Sequence, residues 1–219
     1  MESIALIGQA LAVIAACWAI ISGVGAWKRE FIGKRRIELA EEVLASFFEI
    51  KDVIATIRNP FSSGDEGKSR KKGEHETKDE SELLDRGYIV FERYESRKEA
   101  FVRFNTLQYK FMATFGPETE DIFIDCNRIL NSIFVSARQL ATHYWQRQGR
   151  VPMEGDEFQK HLDKMHHHEG IFWDRMDDED EIRQKLQAVQ DKLDTVTKPC
   201  FEEPMKTYAI FTKQWFKKG

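Results

Sequence analysis

The sequence contains few of the residues from which common catalytic and metal-binding motifs are built. Its three cysteines, Cys17, Cys126 and Cys200, have neither the spacing of a metal site nor that of a redox pair. Glycine-rich nucleotide-binding motifs are absent, as are the G-x-S-x-G motif of hydrolases and the H-E-x-x-H motif of zinc proteases. The sequence therefore gives no positive indication that the chain is an enzyme.

Charge is absent from one long stretch near the start of the chain. The 24 residues from Ile4 to Trp27 include no Asp, Glu, Lys or Arg, and Gln9 is their only strongly polar side chain. At about 1.5 Å per residue they would form a helix roughly 36 Å long, enough to cross a hydrocarbon layer of about 30 Å. We therefore predict a transmembrane anchor in residues 1–27.

A signal peptide and a buried helix of a soluble protein are the two other interpretations of this stretch. A cleavable signal peptide has a basic start and a shorter apolar core, whereas this stretch follows Glu2 and is long. The sequence from Ser22 to Ala26 still resembles a cleavage site, so that interpretation stays open. A buried helix of a soluble protein usually carries a polar face, and no polar face is present here.

Positive charge follows the apolar stretch immediately. Residues 28–36 contain five cations and one acid, Glu30, for a net charge of +4. Because positive residues are retained in the cytoplasm, we expect the N-terminus outside and the C-terminal domain in the cytoplasm, at the inner membrane if the protein is bacterial. The predicted membrane-interface residues are Trp27, Lys28, Arg29, Lys34, Arg35 and Arg36.

The net charge of the whole chain is −4, which leaves −7 for residues 37–219. A nucleic-acid-binding domain needs clustered Lys and Arg for phosphate contacts, so the sequence argues against a nucleic-acid partner. The basic segment is better explained by the lipid bilayer, which we expect to be a partner of the chain.

Small residues recur every fourth position in the apolar stretch, in two tracks. Such tracks let transmembrane helices approach closely, so we expect that the span can self-associate. The tracks are Gly8, Ala12 and Ala16, and Ala15, Ala19 and Gly23.

Beyond the anchor, apolar residues recur at the spacing of helices, and no segment alternates like a strand. The predicted fold is all-α, with the transmembrane helix continuing as a stalk (residues 28–59) into a cytoplasmic antiparallel bundle of about four to five helices (residues 83–219). Between stalk and bundle, residues 60–82 are rich in Gly, Ser and charge and contain almost no apolar residue. We predict that they form a disordered polar loop.

Several helix boundaries in the bundle can be predicted. The stripe of apolar residues from 83 to 115 predicts one long helix. A later helix is expected to begin with a capping pair, Asp178 and Glu181, and to end at Pro199. Pro204 is expected to open the last helix.

A histidine-rich stretch is the best candidate for chemistry. Glu157, His161 and His168 fall on one face of a predicted helix, and imidazole and carboxylate groups can hold Zn²⁺ or another transition metal. The spacing specifies no complete ligand set, so a solvated polar face explains the same residues more simply.

These observations support three hypotheses for the function. The first is a single-pass membrane-anchored adaptor or interaction protein, oligomeric through its span, with protein partners or copies of itself. The second is an effector that perturbs the membrane when its cytoplasmic domain senses a signal. The third is a metal-dependent enzyme or sensor centred on His161 and His168.

Overall fold

The computed structural model describes residues 2–202, without the side chains of residues 2–7, 9 and 10. These residues form helices and turns and no strand, which confirms the all-α prediction for the described part of the chain. The antiparallel bundle stays a prediction. The long helices are α1 (Glu2–Ile57), α2 (Lys78–Glu95), α3 (Lys98–Phe115), α4 (Glu120–Gln139), α5 (Gly155–Phe172) and α6 (Glu181–Glu202).

The chain divides into two compact units. Residues 43–194 form one unit, and the residues up to Glu42 together with those from Thr195 form the other. In the first unit, the ring of Phe104 lies 4.6 Å from that of Phe123 and 6.4 Å from that of Phe47, and all three side chains are fully buried. These aromatic rings therefore form part of the hydrophobic core of residues 43–194.

The predicted helix over residues 83–115 is two helices in the structure. Helix α2 begins earlier, at Lys78, where Thr77 and Glu80 form a capping box. It ends at Glu95, and the hydroxyl of Ser96 donates to the carbonyl of Arg93 at 2.7 Å. Because serine competes in this way for backbone carbonyls, it favours helix ends over helix interiors. Apolar spacing alone did not reveal this break.

Pro117 and the acidic residues after it favour the first turn of a helix, which predicts a helix from this point to about Gln148, and α4 begins close by at Glu120. It continues beyond Gln139 as a π-helical segment (Leu140–Tyr144) and a final α-helical turn (Trp145–Arg147). The buried residues of α4 fall within one face about 140° wide rather than on several sides, and this face is broad enough to contact both α2 and α5.

Helix α6 differs from the prediction at both ends. It begins at Glu181, and Asp180 rather than Asp178 accepts the backbone N–H of Arg183 at 2.9 Å. It also continues through Pro199 to Glu202. The side chain of Cys200 is buried, so packing outweighs the hydrogen bond that proline removes near the end of the helix. The helix predicted from Pro204 lies outside the described residues.

Helices α2 and α4 approach closely at Gly87. A Cβ atom at Gly87 would lie 2.4 Å from the Cβ of Ala141 and 3.1 Å from the carbonyl oxygen of Ala137. We predict that Gly87→Ala lowers the free energy of unfolding by about 1–3 kcal/mol, because the helices must move apart. Thermal unfolding followed by circular dichroism measures the change.

Gly170→Ala is the matched control for this prediction. Gly170 also lies in a helix, but its nearest outside atom would be 3.9 Å from an added Cβ. The greater helix propensity of alanine should therefore stabilise this variant by up to about 1 kcal/mol. Equal effects of the two substitutions would contradict a close approach at Gly87.

Candidate functional site

The first half of α1 exposes an apolar surface. One helix of the described residues is long and apolar enough to cross a membrane, judged by length and composition, and none of its most apolar window is buried. Trp18 is 73% exposed and Ile21 is 71% exposed. The large apolar side chains exposed along this part of the helix are Leu11, Val13, Ile14, Trp18, Ile20, Ile21, Val24, Trp27 and Phe31.

This exposure bears on the alternative of a soluble core helix. A core helix buries its apolar residues against neighbouring elements, whereas residues 11–24 of α1 are exposed on every side of the helix. A contiguous exposed apolar surface of this kind is unusual on a soluble monomer. The surface therefore suits an apolar medium or an apolar partner.

The end of the apolar surface carries aromatic and basic residues. The rings of Trp27 and Phe31 stack with their centroids 5.7 Å apart, and both side chains are exposed. Of the predicted interface cations, Lys28, Arg29, Lys34 and Arg35 are exposed. Aromatic and basic residues in this order are typical of the boundary between lipid and water.

Arg36, the sixth predicted interface residue, is placed differently. It is only 8% exposed, and burial lowers the pKa of its guanidinium group below the usual value. The thiol of Cys200, which is also buried, lies close enough to oppose this shift. Arg36 therefore belongs to the packed part of its unit, and the exposed basic surface ends at Arg35.

The small residues predicted for self-association share one side of α1. At about 100° per residue, the two tracks merge into one face roughly 100° wide. No atom lies within 4 Å of a Cβ placed at Gly8 or at Gly23, and Ala12, Ala15, Ala16 and Ala19 are exposed. The described elements of the chain therefore leave this face open.

The structure does not group the predicted metal ligands into a site. Among the described residues, no cluster of three or more His, Cys, Asp or Glu is arranged to hold a metal ion. His168 is hydrogen-bonded through Nδ1 to the hydroxyl of Ser136 at 3.0 Å, and Glu157 forms an ion pair with Arg147 at 3.4 Å. His161 lies on the same helix, α5. Two of the three predicted ligands thus have other partners.

His161 lies buried beside the π-helical segment of α4. Its ring centroid is 5.5 Å from that of Tyr144, and it is hydrogen-bonded to the backbone of the same residue. Its Nε2 atom is buried without a hydrogen-bond partner. Burial, aided by the charge of Arg147, lowers the pKa of His161, so the ring is neutral at pH 7.

Arg58 and Asp180 form a buried ion pair that sequence reasoning missed. Arg58 follows the last residue of α1, and its two terminal nitrogens bind the two carboxylate oxygens of Asp180 at 2.8 and 2.7 Å. Arg58 is 1% exposed and Asp180 is fully buried. A charged pair buried so completely depends on further hydrogen bonds.

Those hydrogen bonds join three helix ends. Arg58 donates to the carbonyls of Gly170, Ile171 and Trp173, each at 2.8 Å. Carbonyls at the end of α5 have no partner within the helix, so the guanidinium group caps that helix. Asp180 in turn caps the start of α6. The only signal in the sequence was the acidic cluster at 177–181.

Arg70 and Arg93 hold the polar segment that follows α1. Arg70 pairs with Glu76 at 2.6 Å and with Asp85 at 2.9 Å, and Arg93 pairs with Glu66 at 2.7 Å. The structure thus gives residues 60–82 more contacts than their composition suggested. Charge pairs, rather than the burial of apolar groups, supply these contacts.

Comparison with known proteins adds no family to this description. No protein family, curated protein or solved structure matches the chain.

Proposed function

We propose that the chain is a single-pass membrane protein whose helical domain, residues 43–194, serves as an interaction module. The observation that carries the proposal is the apolar surface of α1, which is exposed on all sides. Each Å² of apolar surface left in water costs about 25 cal/mol, whereas a bilayer removes that cost. A protein of this design recruits a partner to the membrane.

The proposed orientation follows from the charges that flank the apolar surface. Lys28, Arg29, Lys34 and Arg35 are exposed on its C-terminal side. Because translocation of Lys and Arg is disfavoured, this side would stay in the cytoplasm and the N-terminus would lie outside.

Fractionation and a reporter fusion test the anchor and its orientation. The full-length chain should remain in the membrane pellet after a carbonate wash, and a reporter fused at Gly219 should be active only in the cytoplasm. Recovery of the intact chain in the supernatant would refute the anchor. An active reporter outside the cell would refute the orientation while leaving the anchor intact.

Helix α3 offers a surface for the proposed partner. Val102 and Tyr109 are 52% and 75% exposed and lie seven residues apart, on one face of the helix. Apolar residues at this spacing suit the apolar face of a partner helix. A photo-crosslinking residue at position 109 should capture a partner in native membranes, whereas one at the exposed Arg128 of α4 should not. Equal labelling at both positions would argue against this face.

We predict that the small-residue face of α1 mediates self-association. Ala12→Ile with Ala16→Ile should lower the association constant about tenfold, or about 1.4 kcal/mol, because larger side chains hold the helices apart. Energy transfer between labelled copies in vesicles measures the constant.

Cys17→Leu is the control for this prediction. Cys17 is exposed and lies on the side of α1 opposite the middle of the small-residue face. The variant should associate like the parent chain, and an equal loss in both variants would contradict the assignment of this face. Depolarisation of cells by the parent chain that is abolished in the Ala12→Ile, Ala16→Ile variant would favour the membrane-perturbing effector over the adaptor.

A further inference from the structure

Four exposed cations surround α1 just beyond its apolar surface. We call Lys28, Arg29, Lys34 and Arg35 the basic collar; all four side chains are exposed. At about 100° per residue, Lys28 and Arg35 share one side of the helix, and Arg29 and Lys34 lie roughly 100° and 120° to either side. The basic collar therefore presents positive charge in every direction around the helix.

The depth of the basic collar fits the headgroup layer of a bilayer. Lys28 and Arg29 follow Trp27 directly, and Arg35 lies roughly 12 Å further along the axis at about 1.5 Å per residue. Side chains on a helix lean toward its N-terminus, so cations at this depth can reach back toward the apolar surface. Arg29 does so visibly, since its Nη1 lies 3.4 Å from the position of a Cβ at Gly25.

Other charges nearby do little to neutralise the basic collar. Glu30 lies within it, and Lys34 lies 3.9 Å from Glu38 in a pair whose side chains are 76% and 60% exposed. An exposed pair at this distance is weak. Arg36 is buried and does not add to the exposed charge. With Glu30 counted, residues 28–35 keep a net charge of +3.

We infer that the basic collar binds the headgroups of anionic lipids in the cytoplasmic leaflet. A protein partner would contact one side of the helix and would leave the other cations in water, whereas lipids surround a span on all sides. Phosphate groups accept charge-assisted hydrogen bonds from Lys and Arg, and negative lipid adds a favourable term for each cation. This inference rests on the proposed membrane anchor.

Spin-labelled lipids in vesicles test the inference. The full-length chain is reconstituted in phosphatidylcholine with a trace of spin-labelled phosphatidylglycerol or spin-labelled phosphatidylcholine. The fraction of each labelled lipid that is immobilised at the protein gives the association constant of that lipid. We expect a larger constant for phosphatidylglycerol than for phosphatidylcholine, and a smaller difference in high salt. Glutamine at all four positions of the basic collar should remove the preference. Each cation is expected to raise the association constant for phosphatidylglycerol by up to roughly fivefold.

Two control variants separate the basic collar from charge elsewhere. Arg36→Gln removes the neighbouring buried cation, and Arg128→Gln removes a cation of α4 whose side chain is 73% exposed. Both should keep the preference of the parent chain. If Arg36→Gln fails to fold, as judged by circular dichroism, Arg128→Gln serves alone.

The outcomes distinguish failure of this inference from failure of the proposed anchor. Immobilised lipid without a preference for phosphatidylglycerol, or a preference that survives in the four-glutamine variant, would overturn the inference and leave the anchor standing. Absence of any immobilised lipid, with the chain extracted by carbonate, would overturn both.

Discussion

Replacing Arg58 by methionine should lower the free energy of unfolding by about 3–5 kcal/mol, because Asp180 would remain buried without its partner. The carbonyls of Gly170, Ile171 and Trp173 would also lose their donor. At about 2–4 °C per kcal/mol, the melting temperature should fall by roughly 6–20 °C. Circular dichroism of the full chain in detergent measures this change.

Arg183→Met is the control for the Arg58 variant. Arg183 pairs with Asp174 at 3.0 Å, but its side chain is 49% exposed. Asp174 is 9% exposed but keeps the backbone N–H of Met176 as a donor, so this variant should lose only about 1–2 kcal/mol, clearly less than Arg58→Met. Equal losses of stability in the two variants would show that burial does not determine how much the Arg58–Asp180 pair contributes to the free energy of unfolding.

Stability should also depend on pH through Asp180. Burial by itself raises the pKa of this carboxyl group, but hydrogen bonds from Arg58 and from the backbone of Arg175 and Arg183 outweigh burial and lower the pKa to about 2, from 3.8. The carboxylate therefore contributes stability above pH 3.8 that is lost as the pH falls toward 2. In Arg58→Met this part of the acid transition should shift to higher pH, and an unchanged acid midpoint would count against the pairing.

Aspartate at two positions in the apolar surface should prevent membrane insertion. Ile14 and Trp18 are 64% and 73% exposed and lie one helical turn apart near the middle of the predicted span. A charged residue at the centre of a span costs about 2.5–3.5 kcal/mol for insertion, so the Ile14→Asp, Trp18→Asp variant should lose about 5–7 kcal/mol. Carbonate fractionation of cells should show the full-length variant outside the membrane pellet.

The matched control places aspartate on an exposed apolar surface elsewhere. Val102 and Tyr109 of α3 are exposed to a similar extent. The Val102→Asp, Tyr109→Asp variant should stay in the pellet like the parent chain. If the Ile14→Asp, Trp18→Asp variant also stays in the pellet, residues 4–27 do not hold the chain in the membrane.

The two halves of α1 differ in what could be predicted about them. The apolar stretch was recognisable because nearly all of its residues are apolar, and this property does not depend on distant parts of the chain. The role of Arg58, at the other end of the same helix, was not recognisable, since its partner Asp180 lies 122 positions away. The same distinction applies to Arg36, which resembles its neighbours in sequence but is buried.

Helix boundaries show an intermediate case. The start of α4 after Pro117 followed from local chemistry, because proline and acidic residues favour the first turn of a helix. The end of α6 did not, since Pro199 normally stops a helix but lies here next to the buried Cys200. Local propensity predicts an end only where packing does not override it.

The sequence by itself determined that the described chain is helical and that the first half of α1 is apolar on all sides, because helical periodicity and side-chain polarity are local properties. The tertiary structure alone decided that Arg58 joins three helix ends, that Gly87 allows two helices to touch and that Arg36 leaves the exposed basic surface. Each of these features depends on atoms distant along the chain, whose proximity the folded structure creates.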